Sequence, residues 1–263
     1  MDLHLDGARA IVTGGSRGIG LAVARGLVAE GAKVALVARD EARLKAAADS
    51  LGDADVLTLS ADTTDDASVR AMVDEVVAAW GGVDVLVNSA AQPAGGAAPP
   101  ALADLTGAEV TADFDTKVLG YLRCARAVAP HMITQGRGRI VNISGLNARR
   151  TGSISGTVRN VAVAALTANL ADELGPHGVG VTVVHPGLVE TERLPQLIAN
   201  RAAATGRTEE QVRAQLGATT SMRRLMTADE VADTVVFLCS RRAVAVTGDA
   251  VTVAGGNRGT VHY

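Results

Sequence analysis

The chain has 263 residues, of which 48% are hydrophobic and 2% aromatic, and a formal net charge of −3. This length suits one α/β domain with a large core and is too short for two full domains without a visible linker. A weakly acidic chain with few aromatic rings is not expected to bind nucleic acid. No apolar run reaches about 18 residues and the N terminus lacks a signal pattern, which predicts a cytoplasmic protein that binds no membrane.

A glycine-rich segment near the N terminus joins a predicted strand to a predicted helix. Arg9 to Thr13 has the apolar character of a buried strand, and apolar residues at helical spacing follow from Ile19 onwards. Gly14, Gly18 and Gly20 lie at the junction. Such a turn lets a pyrophosphate approach the backbone closely, and the amide groups of the first helical turn attract its charge. The segment therefore predicts a site for the phosphates of a dinucleotide.

Strand and helix patterns alternate along the rest of the chain. This alternation predicts parallel strands joined by crossover helices, in a doubly wound α/β sheet of about seven strands with helices on both faces. The remaining predicted strands are residues 33–38, 56–60, 83–88, 139–144, 179–185 and 250–253.

Polar residues at characteristic spacings predict several helix ends. Asp65 and Gly81 bracket the clearest amphipathic helix, as an N-cap and a stop. A threonine followed three residues later by Glu or Gln predicts helix starts at Thr106, Thr208 and Thr227. The first of these three helices is predicted to run to about residue 132.

Residues 191–221 interrupt the alternation between the sixth strand and the next core helix. They contain Pro195 and two predicted short helices. Insertions of this length often close over a site. We predict a substrate lid here, and the alternative is an oligomer contact.

Several motifs in chain order resemble those of the short-chain dehydrogenase/reductase family. Thr13 with the three glycines resembles its Thr-Gly-x-x-x-Gly-x-Gly turn, and residues 84–91 resemble its Asn-Asn-Ala-Gly strand end, with two departures. Residues 59–65 resemble its acidic motif, and residues 185–191 resemble its Pro-Gly motif. The resemblance covers nearly the whole chain and implies a single Rossmann-type domain over residues 1–263.

The resemblance also implies which residues bind a nicotinamide dinucleotide. Asp62 would hydrogen-bond the adenine amino group, and Thr191 would contact the nicotinamide amide. The full implied set is Gly14, Ser16, Arg17, Gly18, Ile19, Gly20, Arg39, Asp62, Thr63, Asn88, Ala90, Pro186, Gly187 and Thr191.

The charge at the end of the second strand predicts which dinucleotide is bound. An acidic residue there would bind both ribose hydroxyls and repel a 2′-phosphate. The chain instead has Arg39 at this point and Arg17 in the glycine loop, and two guanidinium groups can hold a phosphate by charge-assisted hydrogen bonds. We therefore predict NADP(H) rather than NAD(H). The alternative is that Arg39 pairs with Asp40 or Glu41 at the surface.

The catalytic residues that the family uses are replaced in this chain. The family employs a tyrosine as general acid/base, a lysine four residues later, a serine on the fifth strand and an asparagine on the preceding long helix. By register, Gly156 takes the tyrosine position and Asn160 the lysine position. Gly145, next to Ser144, takes the serine position, and Lys117 takes the asparagine position. The resemblance therefore implies an atypical member that lacks the Tyr-x-x-x-Lys pair.

Ser144, Lys117 and Asn160 are the candidate catalytic residues, because family geometry would place them beside the nicotinamide. The Lys117 ammonium, Ser144 relaying a proton from water, and His185 at a strand end are candidates for the missing proton donor. Each has a structural alternative. Lys117 would be a solvated or interface charge, Ser144 a hydroxyl bonded to backbone, and His185 a packing residue before Pro186.

These observations predict an NADP(H)-dependent oxidoreductase that acts on a small-molecule carbonyl or alcohol through a non-standard proton relay. The alternative is a catalytically impaired NADP(H)-binding protein that acts as a sensor or partner subunit, and the missing tyrosine and lysine favour it. Arg149, Arg150 and Arg159 indicate an anionic substrate or an oligomer contact. Histidine and cysteine show no metal-ligand spacing, so no metal site is predicted. The family resemblance implies a homodimer or homotetramer.

Overall fold

A parallel sheet of seven strands forms the centre of the molecule in the computed structural model, which describes residues 1–52, 54–91 and 99–258. Its strands are β1 (Arg9–Thr13), β2 (Lys33–Ala38), β3 (Val56–Ser60), β4 (Val85–Asn88), β5 (Gly138–Ile143), β6 (Val179–Pro186) and β9 (Ala250–Val253). Their spatial order is β3-β2-β1-β4-β5-β6-β9. A second, two-stranded sheet pairs β7 (Val189–Glu190) with β8 (Met226–Thr227).

Helices cover both faces of the seven-stranded sheet. They are α1 (Gly18–Ala29), α2 (Glu41–Asp49), α3 (Asp66–Trp80), α4 (Gly107–Phe114), α5 (Gly120–Gln135), α6 (Ile154–Leu174), α7 (Leu194–Thr205), α8 (Glu209–Gly217) and α9 (Ala228–Cys239). Apolar residues of α1, α2 and α9 form the core on one face, and those of α3, α5 and α6 form the core on the other. The chain therefore has the predicted doubly wound Rossmann-type α/β fold.

Alternation of side chains along the strands divides the two cores. Val12 of β1 and Leu36 of β2 belong to one core, whereas Ile11 and Ala35 belong to the other. All four side chains are fully buried. Parallel strands that are covered on both faces are expected to be continuously apolar, because successive side chains point to opposite faces.

The predicted helix ends are confirmed where local hydrogen bonding determines them. Asp65 accepts hydrogen bonds from the N–H groups of Ala67 and Ser68, and α3 ends at Gly81, whose φ of 79° is left-handed. Capping boxes are present at the starts of α4, α8 and α9.

The long predicted helix after Thr106 differs from the prediction. It is divided into α4 and α5 by a π-helical turn over Asp115–Leu119. A π turn contains one more residue than an α turn, and such turns are frequent at functional sites. Apolar spacing did not reveal it. The turn matters because Lys117 lies within it and is buried.

The segment predicted as a lid contains α7 and α8, which share a small apolar core of their own. The β7-β8 pair joins the chain just before this segment to the chain just after it, with Val189 opposite Met226. No helix among the described residues is long and apolar enough to cross a lipid bilayer.

Candidate functional site

A cavity of about 550 Å³ opens at the carboxyl ends of β1, β2, β4 and β5. The order of the sheet reverses between β1 and β4, and open α/β sheets bind ligands at such a switch point. Thirteen of the predicted site residues line this cavity: Gly14, Ser16, Arg17, Gly18, Ile19, Gly20, Arg39, Asp62, Thr63, Ala90, Lys117, Ser144 and Thr191.

The glycine loop is shaped by close backbone contacts. A Cβ on Gly14 would lie 2.9 Å from the backbone oxygen of Ser89, and a Cβ on Gly20 would lie 2.3 Å from the oxygen of Gly14. Gly14 and Gly18 also have left-handed φ values of 68° and 55°. A side chain at any of these three positions would be strained or would collide with backbone.

The N-terminus of α1 faces this loop without a side-chain cap. Arg17 is the N-cap residue, and its side chain, which has no acceptor, caps none of the first amide groups. The first turn of α1 contains no acidic residue. The first amide groups of a helix need an acceptor and carry a partial positive charge. An uncapped helix start at the wall of a cavity suits a phosphate, so these residues fit the diphosphate of a dinucleotide.

Arginines cluster at one end of the cavity. Arg17, Arg39, Arg43 and Arg193 all line it. Burial lowers the pKa of Arg17, and the neighbouring charges of Arg193 and Arg43 lower it further. Cations that repel one another in this way favour the binding of an anion between them.

The predicted alternative for Arg39 was an ion pair with Asp40 or Glu41. Asp40 instead pairs with Arg43, with 3.1 Å between Oδ2 and Nε, and also accepts a hydrogen bond from the Arg43 N–H as the N-cap of α2. The side chain of Arg39 is exposed at the edge of the cavity.

Thr64 holds the side chain of Asp62 in place. Its Oδ1 accepts hydrogen bonds from the N–H of Thr64 at 2.9 Å and from the Thr64 hydroxyl at 2.8 Å. These bonds, with the charges of Arg39 and Arg123, hold the pKa of the Asp62 carboxyl below its usual range against the effect of burial. Asp62 is therefore a fixed anion at the cavity wall.

Four of the predicted site residues lie away from the cavity lining. Asn88 is fully buried, and its Nδ2 donates to Asn142 Oδ1 at 2.9 Å and to the Tyr121 carbonyl. Pro186 ends β6, and Gly187 follows it with its N–H donating to the Val253 carbonyl. Asn160 is buried behind Ser144. The other thirteen predicted residues line the one cavity described above.

Lys117 extends its amino group into the interior beside the cavity. The residue is 5% exposed, and Nζ donates a hydrogen bond to the Ser144 carbonyl oxygen at 2.8 Å. Burial lowers the pKa of Lys117 to about 7; the charge of Arg159 adds to this effect and that of Asp113 opposes it. This burial within the chain does not fit either predicted alternative, a solvated charge or an interface charge.

Ser144 and Asn160 form a second contact between β5 and α6. The Ser144 hydroxyl donates to the main-chain oxygen of Asn160 at 3.0 Å, so the hydroxyl is bonded to backbone. The Asn160 amide lies against Gly145, since a Cβ on Gly145 would be 3.0 Å from Asn160 Nδ2. Gly145 thus provides the space that the Asn160 side chain occupies.

Neighbouring side chains occupy the space around Gly156, the position predicted for the family tyrosine. Gly156 is buried in the first turns of α6, and a Cβ there would lie 2.8 Å from the hydroxyl of Ser153, the N-cap residue of this helix. Tyr121 is buried and donates its hydroxyl to the Ile143 carbonyl at 2.9 Å. Tyr263 lies outside the described residues.

The arginines predicted near the mouth are engaged elsewhere. Arg159 pairs with Asp113, Arg149 donates to the Ala250 carbonyl, and Arg150 donates to Asn147. The cations that line the cavity are Lys117 and the four arginines of the cluster described above.

Arg43 and Arg193 in the cavity, and Asp113 behind it, were not predicted from the sequence. Arg43 had a usable signal, because a helix that begins after Asp40 places it in the first turn at the end of β2. Arg193 and Asp113 had none, since their positions depend on segments that are distant in sequence.

Comparison with known proteins agrees with this fold. The family model for short chain dehydrogenase matches residues 8–202. The chain is 35% identical over 250 residues to the short-chain reductase protein NovJ of Streptomyces niveus, covering 94% of this chain and 92% of the relative. It is 32% identical over 264 residues to sorbitol dehydrogenase of Cereibacter sphaeroides, covering 97% and 99% of the two chains.

A solved structure with the same architecture is L-sorbose reductase from Gluconobacter frateurii, complexed with NADPH and L-sorbose. It superimposes with a TM-score of 0.92 at 29% identity, covering 99% of this chain and all of that chain. With this fold, this site and these relatives, the chain belongs to the short-chain dehydrogenase/reductase family.

Proposed function

We propose that the protein is an NADP(H)-dependent oxidoreductase that interconverts a small-molecule carbonyl and alcohol, with Lys117 in place of the family tyrosine as proton donor and acceptor. The observation that carries this proposal is the position of Lys117, which lines the same cavity as the glycine loop and whose buried amino group has a pKa of about 7. A general acid works best when its pKa lies near the operating pH.

A bound nicotinamide dinucleotide would supply or take up the hydride. The glycine loop and the α1 N-terminus would hold its phosphates, Arg17 and Arg39 its 2′-phosphate, and Asp62 its adenine. Thr63, Ala90 and Thr191 line the same cavity, whereas Asn88, Pro186 and Gly187 lie outside its lining at the ends of β4 and β6. The relative solved with NADPH supports this choice of dinucleotide.

The chain's own residues would handle the proton. The Ser144 carbonyl fixes Lys117 Nζ at 2.8 Å, and the Ser144 hydroxyl fixes this turn to Asn160 of α6. The protonated Nζ would pass a proton to the carbonyl oxygen of a substrate and accept it in the reverse direction. In this proposal Ser144 and Asn160 position Lys117 and do not themselves transfer the proton.

The cofactor is tested by titration with NADPH and NADH, monitored by fluorescence. We expect tighter binding of NADPH. Arg39→Ala should weaken NADPH binding on the order of tenfold and leave NADH binding unchanged, because it removes a charge-assisted contact to the 2′-phosphate. Arg70→Ala, at an exposed arginine of α3, is the matched control. Equal affinity for the two dinucleotides would contradict the choice of NADP(H).

The proton donor is tested with a panel of carbonyl substrates and NADPH, by loss of NADPH absorbance. Lys117→Met should lower kcat by about 10² to 10⁴, the usual contribution of a general acid. Ser144→Ala keeps the main-chain oxygen that holds Lys117 Nζ, so kcat should fall less in this variant than in Lys117→Met. Lys45→Met, at an exposed lysine of α2, is the control.

The alternative of a sensor or partner subunit is favoured by the bonding of the Ser144 hydroxyl to backbone and by the filled space at Gly156. The same panel decides between the two. Tight NADPH binding without turnover of any substrate would support the alternative and exclude the proposed reductase.

We also propose that residues 191–221 act as a lid and that the chain self-associates. Thr191, Glu192 and Arg193 line the cavity at the start of this segment, which supports the lid. Ile154, Val158 and Val161, all about half exposed on one face of α6, support self-association, as a dimer or tetramer.

A further inference from the structure

A partly buried charge cluster lies behind Lys117, outside the cavity lining. Asp113 of α4 forms an ion pair with Arg159 of α6, between Oδ1 and Nη1. The second oxygen of Asp113 accepts a hydrogen bond from the hydroxyl of Ser155, also on α6. The side chains of Asp113 and Arg159 are 16% and 18% exposed, so water screens the pair weakly.

The cluster is continuous with the turn that carries Lys117. Asp113 lies four residues before Lys117, in the last turn of α4, and Arg159 directly precedes Asn160, whose main-chain oxygen receives the Ser144 hydroxyl. The ion pair thus joins α4 to α6, and Ser144 contacts the residues that follow in both segments, Lys117 through its carbonyl and Asn160 through its hydroxyl.

Other charged groups near Lys117 are accounted for. Asp115, in the same π turn, pairs with Arg123 at 2.8 Å. The Tyr121 hydroxyl donates to the Ile143 carbonyl, and burial raises the pKa of Tyr121, so the phenol is neutral. The charges of the cavity itself belong to the arginine cluster with Asp40 and Glu192, and to Asp62.

We propose that Asp113 and Arg159 are positioning residues, which together orient the Lys117 amino group and set the charge that it carries beside the cavity. The proposal rests on the proposed function, in which that amino group transfers the proton. In the predicted register Asn160 takes the position of the family's lysine, so that lysine does not perform this role.

The two charges of the pair have opposite effects on the protonation of Lys117. The Arg159 guanidinium disfavours the protonated form of Lys117, and the Asp113 carboxylate favours it. As long as they are paired, much of each effect cancels. Removing one partner leaves the charge of the other uncompensated in a poorly screened site.

The experiment measures the ionisation of Lys117 directly, in the full chain and without cofactor. The sequence contains three lysines, Lys33, Lys45 and Lys117, so protein labelled with 13C-lysine gives three 13Cε resonances. The resonance that disappears in Lys117→Met identifies Lys117. Lys33 and Lys45, which are partly or fully exposed, serve as internal references.

Two isosteric substitutions should shift the Lys117 titration midpoint in opposite directions. Arg159→Gln leaves Asp113 uncompensated and should raise the midpoint by on the order of one pH unit, whereas Asp113→Asn should lower it by a similar amount. The double variant should return close to the unsubstituted chain. Arg159→Lys retains the charge and should shift the midpoint least among the single variants.

A purely structural role for the pair predicts a different result. Shifts in the same direction, or none in either folded variant, would overturn the proposal. If Asp113→Asn fails to fold, Arg159→Gln and Arg159→Lys still decide it, because only the first removes charge. The titration midpoint is measured without turnover, so this test is independent of the proposed reductase activity. A chain that shows opposite shifts but reduces no substrate would contradict the proposed activity and still support the effect of the pair on Lys117.

Discussion

At the scale of a single residue, the burial of Lys117 makes the free energy of unfolding depend on pH. Its usual pKa of 10.5 falls to about 7 because the amino group is removed from water. Between these two values the unfolded chain binds one more proton than the folded chain. The free energy of unfolding therefore rises with pH through this window, by at most about 1.4 kcal/mol per pH unit from this group.

Urea unfolding at several pH values between 7.5 and 9.5 tests this linkage. We expect the unsubstituted chain to gain stability over Lys117→Met by about 1.4 kcal/mol per pH unit, because the variant has no group that titrates there. Other ionisable groups are common to both proteins and cancel in the difference. A difference that stays constant with pH would mean that the buried amine keeps an ordinary pKa.

At the scale of an element, α9 packs against α1, the helix that follows the glycine loop. Val235 and Val236 of α9 belong to the same core as Val23 and Leu27 of α1. The start of α9 is a capping box. Thr227 Oγ1 accepts from the N–H of Glu230 at 3.1 Å, and Glu230 accepts from the N–H of Thr227 at 2.9 Å.

Thr227→Ala should lower the free energy of unfolding by about 1 kcal/mol, because it leaves a helix-terminal amide without its acceptor. Thr227→Ser keeps the hydroxyl and should behave almost as the unsubstituted chain. Both are measured by urea unfolding at one pH. Equal losses in the two variants would indicate that the threonine methyl group, rather than the cap, provides the stability.

At the scale of the whole molecule, an apolar stripe on α6 remains exposed. Ile154, Val158 and Val161 are 51%, 50% and 47% exposed and follow helical spacing, opposite the buried side of the helix. Exposed apolar patches mark interaction surfaces, and in the self-association that we propose a second copy of the chain covers this one.

Val158→Asp should shift the chain toward the monomer, because a carboxylate in an apolar contact is costly to desolvate. Static light scattering after size-exclusion chromatography measures the mass. Val244→Asp replaces another exposed valine, 71% accessible and on a different surface, and should leave the mass unchanged. An unsubstituted chain that elutes as a monomer at all concentrations would contradict self-association.

The sequence by itself determined the elements and their order. Strands β1, β2, β3 and β9 begin and end where the apolar runs do, and Asp65, Thr106, Thr208 and Thr227 cap the helices as predicted. These features depend on neighbours within about four residues, through hydrogen bonds and side-chain periodicity that a single segment contains. The glycine loop could be predicted from the sequence for the same reason.

Only the tertiary structure decided what surrounds Lys117. The π turn lies between α4 and α5, the Ser144 carbonyl follows β5, and the Asp113–Arg159 pair links α4 to α6. These segments meet through packing of parts of the chain that are distant in sequence. Whether an amine is solvated, and therefore what its pKa is, depends on this long-range burial. The residue types were visible in the sequence, but their charge states and partners followed from the fold.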